Sequence, residues 1–194
     1  KCLLNNPEYG GRKDKALDPD LGMAILYEIT DRDNEPNSNW LMFERGYDYG
    51  DVGRVIARGA QGESELNPQL IGAWGEGDKP PIGSHARMYQ EINKNVVIQG
   101  VEFTNGLQVF GADNVLLDDI VVTGDELNVK NLDGFTLRNS SVYDVREDEP
   151  LHGGPKWNQV ADRISGIYAE RSEGILVEGT HFDHTGWSAD YEYN

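Results

Sequence analysis

Between Asn128 and Trp187 the chain gathers side-chain types that move protons and hold cations. Lys130, Arg146, Tyr168, Arg171 and His184 are of the kinds that can take a proton from carbon or oxygen. Asp144, Glu170 and Asp183 can work as acid and base, or ligate Ca²⁺ through oxygen. Trp157 and Trp187 offer flat apolar faces, and Asn128 and His152 supply hydrogen bonds that orient a substrate. Each has a plainer reading. Lys130 and Glu170 make a cross-strand surface ion pair, His184 bonds a backbone carbonyl, and Trp187 caps the core.

These residues can act together only if a scaffold brings them together, and the scaffold is written as a repeat. The phrase Asn95-Val-Val-Ile-Gln-Gly-Val-Glu-Phe103 recurs from Asn114 to Val122, from Gly134 to Val142 and from Gly174 to Phe182, at offsets of 19, 20 and 40 residues. In register, Val96, Val115, Phe135 and Ile175 form one apolar column. Ile98, Leu117, Leu137 and Val177 form a second, and Phe103, Val122, Val142 and Phe182 a third. The alternation is that of strands, with no helical spacing. Gly100, Asp119, Asn139 and Gly179 stand where the chain must turn, and all tolerate a left-handed backbone. A further short strand precedes three of the copies by seven residues, at Leu107–Val109, Leu127–Val129 and Ile167–Ala169. The pattern predicts an all-β parallel β-helix with three strands per coil of ~20 residues, each coil ~4.8 Å above the last.

The phrase resembles the repeat of right-handed parallel β-helix proteins of the pectate-lyase-like superfamily. Trp40-Leu-Met-Phe-Glu-Arg-Gly46, Pro68–Gly77 and Pro80-Pro-Ile82 are similar to its first coils, so the resemblance covers roughly residues 40–190. It implies a secreted or extracellular carbohydrate-active protein with a polysaccharide, most often an acidic one, as its partner. A lyase or epimerase would neutralise a uronate carboxylate with Ca²⁺, Arg or Lys and abstract the α-proton with a base. A hydrolase would use paired carboxylates such as Asp144, Asp183 and Glu170, ~5–5.5 Å or ~6.5–9.5 Å apart by stereochemistry. The superfamily also contains non-catalytic adhesins, and a binding or filament segment is the alternative.

The doubled offset is an excursion. Residues 146–163 carry Pro150, Gly153, Gly154 and Pro155 among charged residues, a loop composition. The loop leaves the third strand and returns to the first, so it is expected to overhang the first-strand face with Arg146, His152 and Trp157. Asp183-His-Thr-Gly-Trp187 occupies the matching corner of the last coil, which sets His184 above Asp144. Residues 1–39 read as an irregular N-terminal segment and 40–194 as the coils. The chain is expected to be part of a longer solenoid. One column, Val97, Leu116, Thr136 and Leu176, is apolar yet faces outward. It suggests self-association or cover by the rest of a precursor. The neighbouring column of Gln99, Asp118, Arg138 and Glu178 reads as a solvated face with cross-strand pairing.

Composition excludes more than it selects. There are 34 acidic and 17 basic side chains in 194 residues, a net charge of −17. That argues against nucleic acid as a partner. The single cysteine, Cys2, permits no intramolecular disulfide. No run of 18 apolar residues predicts a membrane span. No phosphate loop, zinc-ligand spacing or Gly-x-Ser-x-Gly elbow occurs, so neither nucleotide nor zinc is expected. Asn139-Ser-Ser141 matches a glycosylation sequon.

Overall fold

The computed structural model describes residues 18, 21, 24, 35–51, 55, 59–83, 86–88, 93–147 and 165–187. The strands are β1 (Trp40–Glu44), β2 (Gln69–Trp74), β3 (Pro81–Ile82), β4 (Ala86–Met88), β5 (Asn93–Gln99), β6 (Glu102–Phe103) and β7 (Leu107–Asp118). They continue with β8 (Val121–Val122), β9 (Leu127–Arg138), β10 (Ser141–Glu147), β11 (Ile167–Glu170), β12 (Glu173–Glu178) and β13 (His181–Trp187). One sheet runs β1-β2-β5-β7-β9-β11, with β12 also on β9 and β4 also on β7. The other runs β13-β10-β8-β6-β3. Every strand pairing in both is parallel. The chain is thus all-β with parallel sheets, an arrangement compatible with a parallel β-solenoid.

The register follows the sequence columns. Val96 pairs with Val115 and Val115 with Phe135, which in turn pairs with Ile175. Phe103, Val122, Val142 and Phe182 are stacked in the second sheet. The first three members of each column are buried. In the last coil Ile175, Val177 and Phe182 remain 39%, 41% and 38% exposed, because no described strand lies above them. The short side chains at the corners do what their types allow. Gly100, Asp119, Asn139 and Gly179 have φ of 71°, 53°, 51° and 55°.

The coils β4-β5-β6 and β11-β12-β13 have three separate strands each, as expected, and the two coils between them differ. The first and second strands of a coil run together as β7 and again as β9. They bend at left-handed residues, Gly111 and Asn114 in β7 and Asn131 and Gly134 in β9, where the register between the two strands is skipped and then resumes at Ala112↔Leu132 and Val115↔Phe135. The stack takes in β1, which pairs with β2 from Trp40↔Leu70 to Glu44↔Trp74. The apolar stretches Met23–Tyr27 and Arg54–Ala57 lie largely outside the described residues. Residues 148–164, most of the excursion, lie wholly outside them.

Polar groups tie neighbouring coils. Asn114 Nδ2 donates to Asn95 Oδ1 at 2.8 Å, both residues being left-handed. The buried Ser140 donates from Oγ to the Arg138 carbonyl at 2.7 Å and accepts from the Ile120 N–H at 3.1 Å. Asp118 accepts from Gln99, Arg138 and Asn139 at 3.0–3.1 Å. The mixed-charge column therefore pairs across coils as its signs imply. Asn139, the sequon residue, spends its Nδ2 on Asp118. Asn93 is fully buried, with neither side-chain oxygen nor nitrogen hydrogen-bonded.

Candidate functional site

Strand register assembles four of the candidates on the first-strand face. Lys130 pairs with Phe110 on one side and Glu170 on the other, and Asn128 with Gln108 and Tyr168. The Lys130 ammonium stands 3.7 Å from Glu170 Oε2. It also lies 5.4 Å from the Phe110 ring centre and 5.1 Å from that of Tyr168. Arg171 Nε is 3.4 Å from Glu170 Oε1. Lys130, Tyr168, Glu170 and Arg171 therefore converge, and the ammonium is engaged by a carboxylate and two aromatic faces. The ion pair expected as the plainer reading of Lys130 and Glu170 is present. Both members are about two-thirds buried, so it lies between a fully exposed pair and a desolvated one.

Asn128 differs from expectation. Strand alternation sets it among the outward groups, but only 9% of it is exposed. Its Nδ2 donates to Glu126 Oε1 at 2.7 Å, and its Oδ1 is buried without a partner. Glu126 also accepts from Ser165 Oγ at 3.4 Å. Burial pushes the Glu126 carboxyl above the ordinary range, and the hydrogen bonds from Ser165 and Asn128 only partly oppose this. Glu126 and Ser165 escape a sequence reading because they precede the strand and belong to no column. Glu126 occupies the place held by Gly106 before Leu107 and Gly166 before Ile167.

The sign of that shift makes a prediction. A carboxyl raised above its unfolded value binds its proton more tightly in the folded state, so stability falls as pH rises from the ordinary glutamate range through the raised pKa. Glu102 behaves alike, raised first by burial. Asp118 is held below the ordinary range, first by its hydrogen bond from Arg138. Its stabilisation is present above the unfolded carboxylate pKa and is lost as pH falls through the depressed one. Glu126→Gln keeps the Asn128 contact without the charge. It is expected to raise Tm at pH 7 and to converge with the wild type in mild acid, as followed by thermal unfolding across pH. Equal differences at both pH values would count against the assignment.

Arg171 carries a second cost. Its φ is 50°, at the corner filled by Gly111 and Asn131 in the coils below. An arginine there bears left-handed strain of about 1 kcal/mol, and its ion pair is largely exposed, a type worth about 0–1 kcal/mol. Arg171→Asn is accordingly expected to leave stability unchanged or raise it by up to about 1 kcal/mol, in denaturant titration. The alignment of Arg171 with Gly111 and Asn131 is a sequence signal for this corner.

The other candidates do not join the cluster. Arg146 and the His184–Trp187 segment lie in β10 and β13 of the second sheet, and their side chains are outside the described residues, as are His152 and Trp157 entirely. Tyr143↔Asp183 and Val145↔Thr185 bracket the expected alignment of Asp144 with His184. Asp144 and Asp183 stand on the second sheet and Glu170 on the first, so the three proposed Ca²⁺ ligands share no face. Among the described residues no group of three or more His, Cys, Asp or Glu is placed to hold a metal ion. His181 Nε2 comes within 3.9 Å of Asp183 Oδ2 on an exposed surface.

A second feature is longer than the sequence repeat implies. The outward column Val97–Leu116–Thr136–Leu176 continues through Leu70 to Trp40. Its ends are the most open, with Trp40 55% and Leu176 49% exposed; the members between are partly buried. On one side runs the row Lys94–Asp113–Asp133–Glu173, and on the other Gln99–Asp118–Arg138–Glu178.

Comparison with known proteins gives a distant relation. Over 134 residues the chain is 26% identical to the major S-layer protein of Methanosarcina barkeri (strain Fusaro / DSM 804). The match takes in 66% of this chain and 20% of that protein, so the chain spans about a fifth of the relative's length. No protein-family model matches, and no solved structure gives a significant match. No helix among the described residues is long and apolar enough to cross a membrane.

Proposed function

We propose that the chain is a non-catalytic parallel β-helix segment of a cell-surface protein, a stacked wall that associates with further copies at the cell exterior. The fold we assign it is the right-handed, pectate-lyase-like form. The observation that carries the reading is how the outer face satisfies itself: Lys130 is closed by Glu170, Phe110 and Tyr168. The Lys130–Glu170 pair ties one coil to the next. The apolar column and the likeness to a surface-layer protein support the same reading. Surface biotinylation of intact cells tests the location. Labelling of the full-length protein only after lysis would rule the reading out.

The second reading is an enzyme acting on an acidic polysaccharide, and the convergence of Lys130, Tyr168, Glu170 and Arg171 favours it. In that case Lys130 or Tyr168 would take the α-proton and Arg171 would meet the uronate carboxylate, with Glu170 as the residue available for Ca²⁺. Incubating the full-length protein with uronate polysaccharides, with and without Ca²⁺, would develop the absorbance of unsaturated ends. Abolition of that signal by Lys130→Met would establish the lyase and displace the scaffold reading.

A further inference from the structure

We infer that the interior of the stack encloses ordered water, held at the lower coils by the side-chain amides of Asn93 and Gln69.

Strand register aims both amides inward. Asn93 pairs with Ala112 and Ala112 with Leu132, a buried column. Lys94 pairs with Gln61, and its N–H donates to the Ala60 carbonyl, which places Ala60 beneath Asn93. Gln69 stands at the foot of the Val96–Val115–Phe135 column. The two amides flank one corner, where Gly62 lies against the backbone of Asn95 and Gln69. Asn93 is 0% exposed and Gln69 1%.

Their hydrogen bonding is incomplete in a way that suits water. Gln69 Nε2 donates to Asn37 Oδ1 at 3.1 Å, but Gln69 Oε1 accepts from no protein group. Asn93 engages neither its oxygen nor its nitrogen with the protein. The corner thus offers two acceptor oxygens and one donor nitrogen. The adjoining Asn95 differs, since its Nδ2 donates to the Gly62 carbonyl and its Oδ1 accepts from Asn114. Buried amides left unmet lose their hydration without return, and interior water is the common partner of such groups.

The column leaves space for it. Asn93 lies between two alanines, and a long aliphatic fills that position only at Leu132, two coils higher. A cation fits the site less well. Among the described residues Asp118 is the one charged side chain that is buried, and it belongs to the outer row. An ion beside Asn93 would therefore rest on neutral amide oxygens without a carboxylate to offset its charge.

Water–protein NOE measurements on the full chain test this. Methyl protons do not exchange with solvent, so cross-peaks from water to the buried Ala60 and Ala112 methyl groups report proximity alone. They are expected in the wild type, with the sign of a long-lived contact. They are expected to vanish in Asn93→Leu, which replaces the amide by apolar atoms of similar size. Xenon is the second probe, because it enters dry apolar cavities, and it is expected to leave both methyl resonances unshifted. Absence of the cross-peaks in the wild type, their survival in Asn93→Leu, or xenon shifts at the two methyls would each overturn the inference. Should the variant not fold, the two wild-type measurements decide.

Discussion

Phe135→Ala is expected to destabilise the protein by about 3–5 kcal/mol, the cost of removing a large side chain from a packed interior. Phe135 is 1% exposed, and its column neighbours are Val115 below and Ile175 above. Ile175→Ala, in the same column one coil higher, should cost only about 1–2 kcal/mol, since part of that side chain is already in water. Denaturant unfolding of the two variants measures both. The contrast matters more than either value, because it depends on the coils stacking in the register seen here. Equal losses would mean that Ile175 is covered to the same extent as Phe135.

The second large effect is steric. A methyl group at Gly62 would lie 2.4 Å from the Asn95 carbonyl oxygen, 2.6 Å from Pro68 Cα and 2.7 Å from the Gln69 nitrogen. All three are backbone, and none can yield without moving a strand. The Gly62 N–H donates to the Lys94 carbonyl at 2.8 Å, and its own carbonyl accepts from Asn95 Nδ2 at 3.4 Å. Any shift there pulls on the asparagine pair that joins the lower coils. Gly62→Ala is expected to cost about 3 kcal/mol or more, the upper end of overpacking effects. Gly111→Ala is the control, with open space around the new methyl but φ of 64°. Backbone strain alone should then cost about 1–2 kcal/mol. Circular dichroism during urea unfolding distinguishes the two.

The columns were legible because a stack of parallel strands repeats its demands. Each inward position needs an apolar side chain and each corner a residue at ease with positive φ, so Val96, Val115 and Phe135 announce one another. Pairing along the outer face was readable for the same reason, from the signs of Gln99, Asp118, Arg138 and Glu178. The lower end of the apolar column was not, since Trp40 to Leu70 is 30 residues and Leu70 to Val97 is 27. No single period links those strands to the later coils. Glu126 escaped because a residue buried singly beside a strand leaves no periodic trace. The near-burial of Asn128 follows from Glu126 and was hidden with it.

Those unequal steps carry a consequence of their own. Successive rows of the outward column are separated by 30, 27, 19, 20 and 40 residues of chain, yet every row pairs in parallel with the next. The wall therefore sets the address of each strand, not the amount of polypeptide spooled out between addresses. Closing a loop twice as long costs only about 0.6 kcal/mol. The corner between β10 and β11 is thus a natural port, where foreign sequence of widely differing length can be carried while the wall beneath keeps its register.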